Sequence, residues 1–318
     1  MLKDVAEQAL EFGRKYVSMG TVADYIPELK KADPEKLGLC IFTEDGERIC
    51  VGDVDQRFTM QSICKVVTLS VALQILGKEE VFQHVLMEPS GDAFNSILKL
   101  DTASNRPFNP MINAGAIEVI SLLAPVVSFE ELKDYTRRVC MDLDISLNEE
   151  VYHSEYMTGN RNRAIGYLLK SKDVLKGDVS ATVDLYFRMC SLSVNARSLA
   201  GLSLVLSCGG VNPETGTRIF DKEVCRIVKT LMLTCGMYDG SGEFAVRTGI
   251  PAKSGVGGGI TACGKKGMGI GTYGPALNLK GNSIGGIHAL EYLSRELGLH
   301  ILDIPDGAAS DAGRSIQM

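Results

Sequence analysis

The sequence predicts an α+β fold: an antiparallel sheet built from N- and C-terminal segments, with a helical part inserted between them. Three observations predict it. Two short apolar runs, LGLCIFT and ERICVGD, flank an Asp-Gly turn around residues 38–53, the pattern of a β-hairpin. A second stretch, AKSGVGGGITACGKKGMGIGTYGPAL at 252–277, alternates small and apolar residues around a G-K-K-G turn and reads as further strands. Between the two, the chain carries helix start signals and helical apolar spacing. We read one domain over 1–318, with about 1–65 and 220–318 in the sheet-containing part and about 66–219 in the helical part.

Taken in order, residues 3–17 predict an opening helix, followed by the hairpin. RFTMQSICKVVTLSVALQIL at 57–76 is almost continuously apolar from Val66 onward, which predicts a buried helix ending near Gly77. Residues 78–127 read as loop-rich, with FNPMINAGA at 108–116. S-F-E-E at 128–131 is a capping box that opens a helix continuing through Leu132, Tyr135 and Val139. Helices follow at 180–190, at 196–207 behind Asn195, at 222–235 behind Asp221, and at 284–297. LHILDI at 299–304 is a further candidate strand.

The bulk composition narrows the function. Hydrophobic residues make up 45% and charged residues 23% of the 318, with a net charge of −6. No Lys/Arg-rich run is present, which argues against nucleic-acid or anionic-membrane partners. The longest apolar run, Val66–Leu76, is too short to span a bilayer, and the N-terminus mixes charges into a helical pattern. A cytoplasmic protein is expected. The nine cysteines include no C-x-x-C, and the four histidines form no ligand pattern, so no metal or other cofactor is expected and most cysteines should be reduced.

Several short motifs have ordinary explanations. GIGTYG at 269–274 fits a dinucleotide fingerprint, but Pro275-Ala276-Leu277 follows where a helix should open, so a Gly-rich strand is the better reading. GSG at 240–242 lacks nucleophile-elbow spacing and reads as a turn. Ser62 and Lys65 are different. At i and i+3 they share one helix face. A serine hydroxyl needs a base to become a nucleophile, and a lysine amine in an apolar place loses its proton readily enough to be that base. The first turn of a helix also offers free N–H groups to a developing oxyanion. Taken alone, S-x-x-K equally fits a capped helix with a snorkelling lysine. K-S-G at 253–255, opening a predicted strand, supplies the context: it resembles the K-T-G that accompanies S-x-x-K in penicillin-recognising enzymes.

Longer stretches extend that likeness. DYIPEL (24–29), VGDVDQRFTMQSICKV (51–66), NPMINAGAI (109–117), SEYMTGNRNRAI (154–165), DLYFRMCS (184–191), MYDGSGEFAVRTGIPAKSGVGGGI (237–260) and GNSIGG (281–286) together resemble the serine-dependent glutaminases. The resemblance implies a β-lactamase-like three-layer αβα sandwich and hydrolysis of L-glutamine to L-glutamate and ammonia through a glutamyl-serine intermediate. It implies Ser62 as nucleophile, Lys65 as base, and Tyr186 and Tyr238 at the reacting centre, with Tyr238 as proton relay. Tyr25, Asn113, Glu155, Asn162 and the backbone of Val256 match substrate-binding positions. Glu155 would take the α-ammonium, Asn113 and Asn162 the carboxylate and amide, and the N–H groups of Val256 and Ser62 the oxyanion. A homo-oligomer, dimer or tetramer, is implied as well.

Singly these residues have plainer readings: Asn113 as a turn residue, Glu155 capping a loop with Arg161, Tyr25 packing under a loop. The chain also departs from the resemblance. Cys64 stands where Ser-Ile-Ser-Lys is common, VNARSL (194–199) lacks an acidic residue often found there, and no ankyrin repeats follow. Two alternatives share the fold: a β-lactamase or penicillin-binding-type hydrolase, although no Ser-Asp-Asn motif accompanies S-x-x-K, and a non-catalytic amino-acid-binding protein.

Overall fold

The computed structural model describes residues 2–89, 105–265 and 267–303. The opening helix α1 (Leu2–Val17) is amphipathic, with Ala6, Ala9 and Leu10 on its buried side. The hairpin follows as β1 (Gly38–Thr43) and β2 (Arg48–Gly52), and a two-residue strand β3 (Phe58–Thr59) leads to α2 (Cys64–Leu76). Helix α2 is buried along nearly its whole length, as its apolar run predicts.

Residues 78–127 are more helical than the sequence suggests, since α3 (Lys78–His84) and α4 (Asn113–Leu123) lie within them. The part of that stretch at 90–104 lies outside the described residues. The capping box appears as predicted at Ser128 and Glu131, opening α5 (Phe129–Val139). Two helices that the sequence reading did not single out follow, α6 (Glu149–Thr158) and α7 (Asn160–Ser171). Then come α8 (Val179–Cys190), a short β4 (Ser193–Val194) and α9 (Ala196–Ser207), the last with Asn195 and Ser198 forming a reciprocal cap. The chain continues through α10 (Lys222–Cys235), α11 (Ser241–Arg247), β5 (Ala252–Ser254), β6 (Gly259–Gly264), β7 (Met268–Tyr273) and α12 (Ile284–Leu297).

The main sheet is antiparallel throughout, in the order β2-β1-β7-β6-β5, so the N-terminal hairpin and the C-terminal strands share one layer. Alternation sorts its side chains to two faces. Leu39 and Ile41 of β1 meet α1 and α12 in one apolar cluster, while Cys40 and Phe42 face Ala196, Ala200 and Leu204 of α9 in another. On the α9 face, β7 carries Gly269 and Gly271. A Cβ at either would lie 2.3 Å from Ala200 O or 2.1 Å from Ala196 O, so only glycine lets the helix lie this close. The Gly-rich strand reading of GIGTYG therefore holds.

A larger apolar cluster joins α2, α4, α5, α7, α8 and α10. The result is a three-layer αβα arrangement. Packing interleaves the two parts along the chain: α9, from within 66–219, covers the sheet, and α10, beyond 219, packs on α2.

Two local expectations are corrected. LHILDI forms no strand over 299–303. Helix α12 ends at a left-handed Gly298, and the chain then turns back, with Ile301 N–H donating to Gly249 O. Ile304 lies outside the described residues. GSG is not a loop turn: a 3₁₀ turn over Tyr238–Gly240 runs straight into α11. Cys40 and Cys50, registered opposite each other in β1 and β2, are joined as a disulfide, while the other seven cysteines are free thiols, as expected of most. No described helix is long and apolar enough to cross a membrane.

Candidate active site

Ser62 sits in a 3₁₀ turn, Gln61–Ile63, between β3 and α2, not in the first turn of the helix itself. The turn is tied down from both sides. Pairing of β3 with β4 fixes its entry, Met60 N–H donates to Leu192 O at 2.9 Å, and Met60 and Ile63 are fully buried. Gln61 adopts φ +48°, a left-handed conformation rare for a side chain of this size. Its amide donates to Thr59 Oγ1 at 3.2 Å and Glu155 Oε2 at 3.4 Å.

Lys65 is fully buried in the first turn of α2. It does not snorkel; its amine donates to Met111 O at 3.2 Å and Asn113 Oδ1 at 2.7 Å. Burial disfavours the charged form and pulls its pKa down to about 8. Asn113, the first residue of α4, is a junction. Its Oδ1 also accepts from the Tyr186 hydroxyl at 3.3 Å, and its Nδ2 donates to Asn162 Oδ1 at 2.9 Å. That uses both lone pairs of the oxygen and leaves one amide N–H for a ligand.

Glu155 of α6 is buried, and burial raises its carboxyl to about 8 against the opposing pull of Gln61 and Lys65. Its partner is Gln61, not Arg161. Tyr238 adopts φ +55° at the head of the 3₁₀ turn before α11. Burial pushes its phenol well up, while hydrogen bonds from the Ser62 hydroxyl and the Val256 N–H pull the other way. Val256 lies on the loop between β5 and β6, and this loop is pressed against the Ser62 segment. A Cβ at Gly255 would come within 2.6 Å of Met60 O, and one at Gly257 within 2.4 Å of Thr59 O. Lys253 of β5 is fully buried too. Its amine donates to Ser254 O at 2.6 Å and lies 4.4 Å from the centre of the Tyr238 ring. Burial, then the nearby Lys65, holds its pKa well below the usual lysine range.

A cleft opens onto this cluster. Tyr25, Ser62, Asn113, Glu155, Asn162 and Tyr186 all line it, with Tyr25 half exposed at its mouth. Lys65 and Tyr238 do not line it but are joined to it through Asn113 and Ser62, and Val256 lines a separate cavity with Phe58, Thr59 and Gly257. Gln61 and Arg161 also line the cleft and were not assigned from sequence. Both lie inside stretches that carry the family resemblance, but neither residue type announced a role. A buried amine of depressed pKa, a hydroxyl one turn away and a protonated phenol are together suited to nucleophilic acyl transfer. Among the described residues, no group of three or more His, Cys, Asp or Glu is disposed to hold a metal ion.

Comparison with known proteins gives the same class. A family model described as Glutaminase matches residues 20–302. The chain is 51% identical to glutaminase 2 of Clostridium perfringens, covering 94% of this chain and all of that protein. It is 48% identical to a glutaminase of Clostridium tetani, over 95% of this chain and all of the relative. Among solved structures, it is similar to the covalent complex between a Bacillus subtilis glutaminase and 5-oxo-L-norleucine, formed by reaction of that protein with 6-diazo-5-oxo-L-norleucine. The TM-score is 0.85 at 35% identity, covering 95% of this chain and 100% of that one. Fold and relatives together define an amidohydrolase on the β-lactamase-like fold. The chain belongs to the glutaminase family. With that, the β-lactamase alternative gives way to glutaminase activity.

Proposed function

We propose that Ser62 is the nucleophile of the glutaminase reaction and Lys65 its general base, acting on L-glutamine held in the cleft. The observation that carries this is the Lys65 amine: fully buried, with a pKa near 8, one helical turn from the Ser62 hydroxyl. In the neutral form Lys65 takes the Ser62 proton as Oγ attacks the side-chain carbonyl carbon of glutamine. The oxyanion is met by the N–H groups of Val256 and Ser62. The C–N bond then breaks. The leaving nitrogen takes a proton from the Lys65 ammonium, relayed by the Tyr238 phenol, and departs as ammonia. Water attacks the glutamyl ester, its proton passes to Lys65, and Ser62 recovers a proton as glutamate leaves.

Substrate recognition follows from charge. Glu155 faces the α-ammonium. Asn162, the remaining N–H of Asn113 and the Arg161 guanidinium meet the α-carboxylate and the amide. Tyr25 closes the mouth. The Bacillus subtilis relative, modified by a diazo analogue of glutamine, fits a site that holds a nucleophile against the glutamine side chain. The same reading takes the enzyme as cytoplasmic and, on the family resemblance, as a homo-oligomeric dimer or tetramer.

The test is ammonia release from L-glutamine and from L-asparagine. Ser62→Ala should release none while still binding glutamine, and Lys65→Ala should lose at least about 10² in rate. Turnover by Ser62→Ala would overturn the assignment of the nucleophile.

A further inference from the structure

Tyr238 keeps a left-handed backbone, φ +55°, which a residue of its size seldom adopts. Its ring packs with Val256 and lies 4.4 Å from the Lys253 amine. Two buried side chains outside the cleft lining hold the chain on either side of it, Ser241 and Asn282. The hydroxyl of Ser241, the first residue of α11, accepts from Met237 N–H at 3.0 Å and donates to Tyr238 O at 2.7 Å. Asn282 stands just before α12, and its Nδ2 donates to Met237 O at 3.2 Å. Its own loop is fixed: Asn278 Oδ1 accepts from Asn282 N–H at 3.1 Å, and Asn278 N–H donates to Asn282 O at 2.8 Å.

We infer that Asn282, together with Ser241, is a positioning residue for the glutaminase reaction and acts through Tyr238. Met237 O lies in the peptide plane before the Tyr238 Cα, and Tyr238 O lies in the plane after it. Fixing both oxygens fixes both planes, hence φ and ψ of Tyr238, hence the direction of its Cα–Cβ bond. Gly240 N–H also donates to Met237 O, at 3.0 Å, but belongs to the same turn and moves with it. Asn282 ties that oxygen to a separate part of the chain. A strained backbone persists only where its surroundings over-determine it, and this clamp supplies the surplus. Packing alone does not account for the asparagine: its Oδ1 is buried without a partner among the described residues, which costs stability.

This inference rests on the reading of Tyr238 as proton relay. Its test is a double-mutant cycle on kcat and KM for glutamine. Asn282→Ala should lower kcat about three- to tenfold, the size of one lost neutral hydrogen bond, with KM within about twofold. Ser241→Ala should act in the same direction. In a Tyr238→Phe background, Asn282→Ala should change kcat by less than about twofold, because the hydroxyl being positioned is gone. A merely structural loss would be the same in both backgrounds. If Asn282→Ala fails to fold, Asn282→Asp, which keeps the size and loses the donor, is read in the same way. If Tyr238→Phe is too slow to measure, the crystal structure of Asn282→Asp decides, with Tyr238 expected to leave its left-handed φ and its place beside Lys253. An unchanged kcat, an equal loss in both backgrounds, or an unmoved Tyr238 overturns the inference. If Tyr238→Phe is itself slow, such a result removes only the clamp; if Tyr238→Phe turns over at the wild-type rate, it is the relay reading that fails.

Discussion

The amine of Lys65 lies 2.7 Å from Asn113 Oδ1, in a place closed to solvent. An amide oxygen can orient an amine but carries no full charge to hold it protonated. The base is thereby aimed without being locked as a cation, and burial leaves it titrating near neutrality.

This gives a pH dependence. Lys65 acts as a base only when neutral, so kcat should rise between pH 7 and 9 with an inflection near the pKa of about 8. Steady-state ammonia release across that range checks it. A flat profile would remove Lys65 from the rate-determining proton transfer.

Burial raises the Glu155 carboxyl to about 8 as well. At pH 7 it is largely protonated and must ionise to meet an α-ammonium. Glutamine binding to Ser62→Ala at pH 7 should therefore release close to one proton, read by calorimetry in buffers of different ionisation enthalpy. Glu155→Gln should raise KM by about 10- to 100-fold, the worth of a charge-assisted hydrogen bond, and abolish the proton release. Unchanged proton release in the variant would assign it to another group.

The same carboxyl affects stability. Its folded-state pKa is raised from 4.5 to about 8, so between those values the folded chain holds a proton that the unfolded chain has lost. Stability contributed by Glu155 is present below pH 4.5 and is lost as pH rises toward 8, at about 1.36 kcal/mol per pKa unit before any relaxation of the site. Relative to wild type, Glu155→Gln should be progressively more stable from pH 5 to pH 8. Melting temperatures that run parallel over this range would contradict it.

Gly255 sets the Val256 N–H against the Ser62 segment. Gly255→Ala brings a methyl group within 2.6 Å of Met60 O, and the backbone must give way. We expect kcat to fall at least about tenfold, approaching the 10²–10³ of a lost oxyanion donor, with a smaller change in KM. A kcat within about twofold of wild type would mean that Val256 does not serve the oxyanion.

Two helices with reciprocal side-chain caps were legible because their signals are local, whereas α6 was missed although the Asn148 side chain caps it by accepting from Val151 N–H. Ser128 with Glu131, and Asn195 with Ser198, close hydrogen bonds within four residues. Helix α4 was not legible. Its cap residue is Ile112, and the polar side chain expected to mark a helix start, Asn113, is spent on Lys65, Tyr186 and Asn162. The preceding turn is held by Asn109 Oδ1, which accepts from Met111 and Ile112. The stretches that carry the family resemblance contain six side chains that line one cleft: Tyr25, Ser62, Asn113, Glu155, Asn162 and Tyr186. They did not reveal that the Oδ1 of Asn113 is saturated by its neighbours, that Gln61 is the partner of Glu155, or that Ser62 stands on a 3₁₀ turn ahead of its helix. Those facts depend on contacts between segments far apart in the chain.

The contact of α9 with β7 bears on how short motifs are read. Gly269 and Gly271 lack a Cβ so that a helix backbone can come close. A pyrophosphate asks the same of a nucleotide-binding loop. Evolution meets two unrelated steric demands with one residue type, and a pattern of glycines records only that something approaches there. Here the visitor is the protein's own helix, and the strand that resembles a cofactor fingerprint is the floor on which α9 rests.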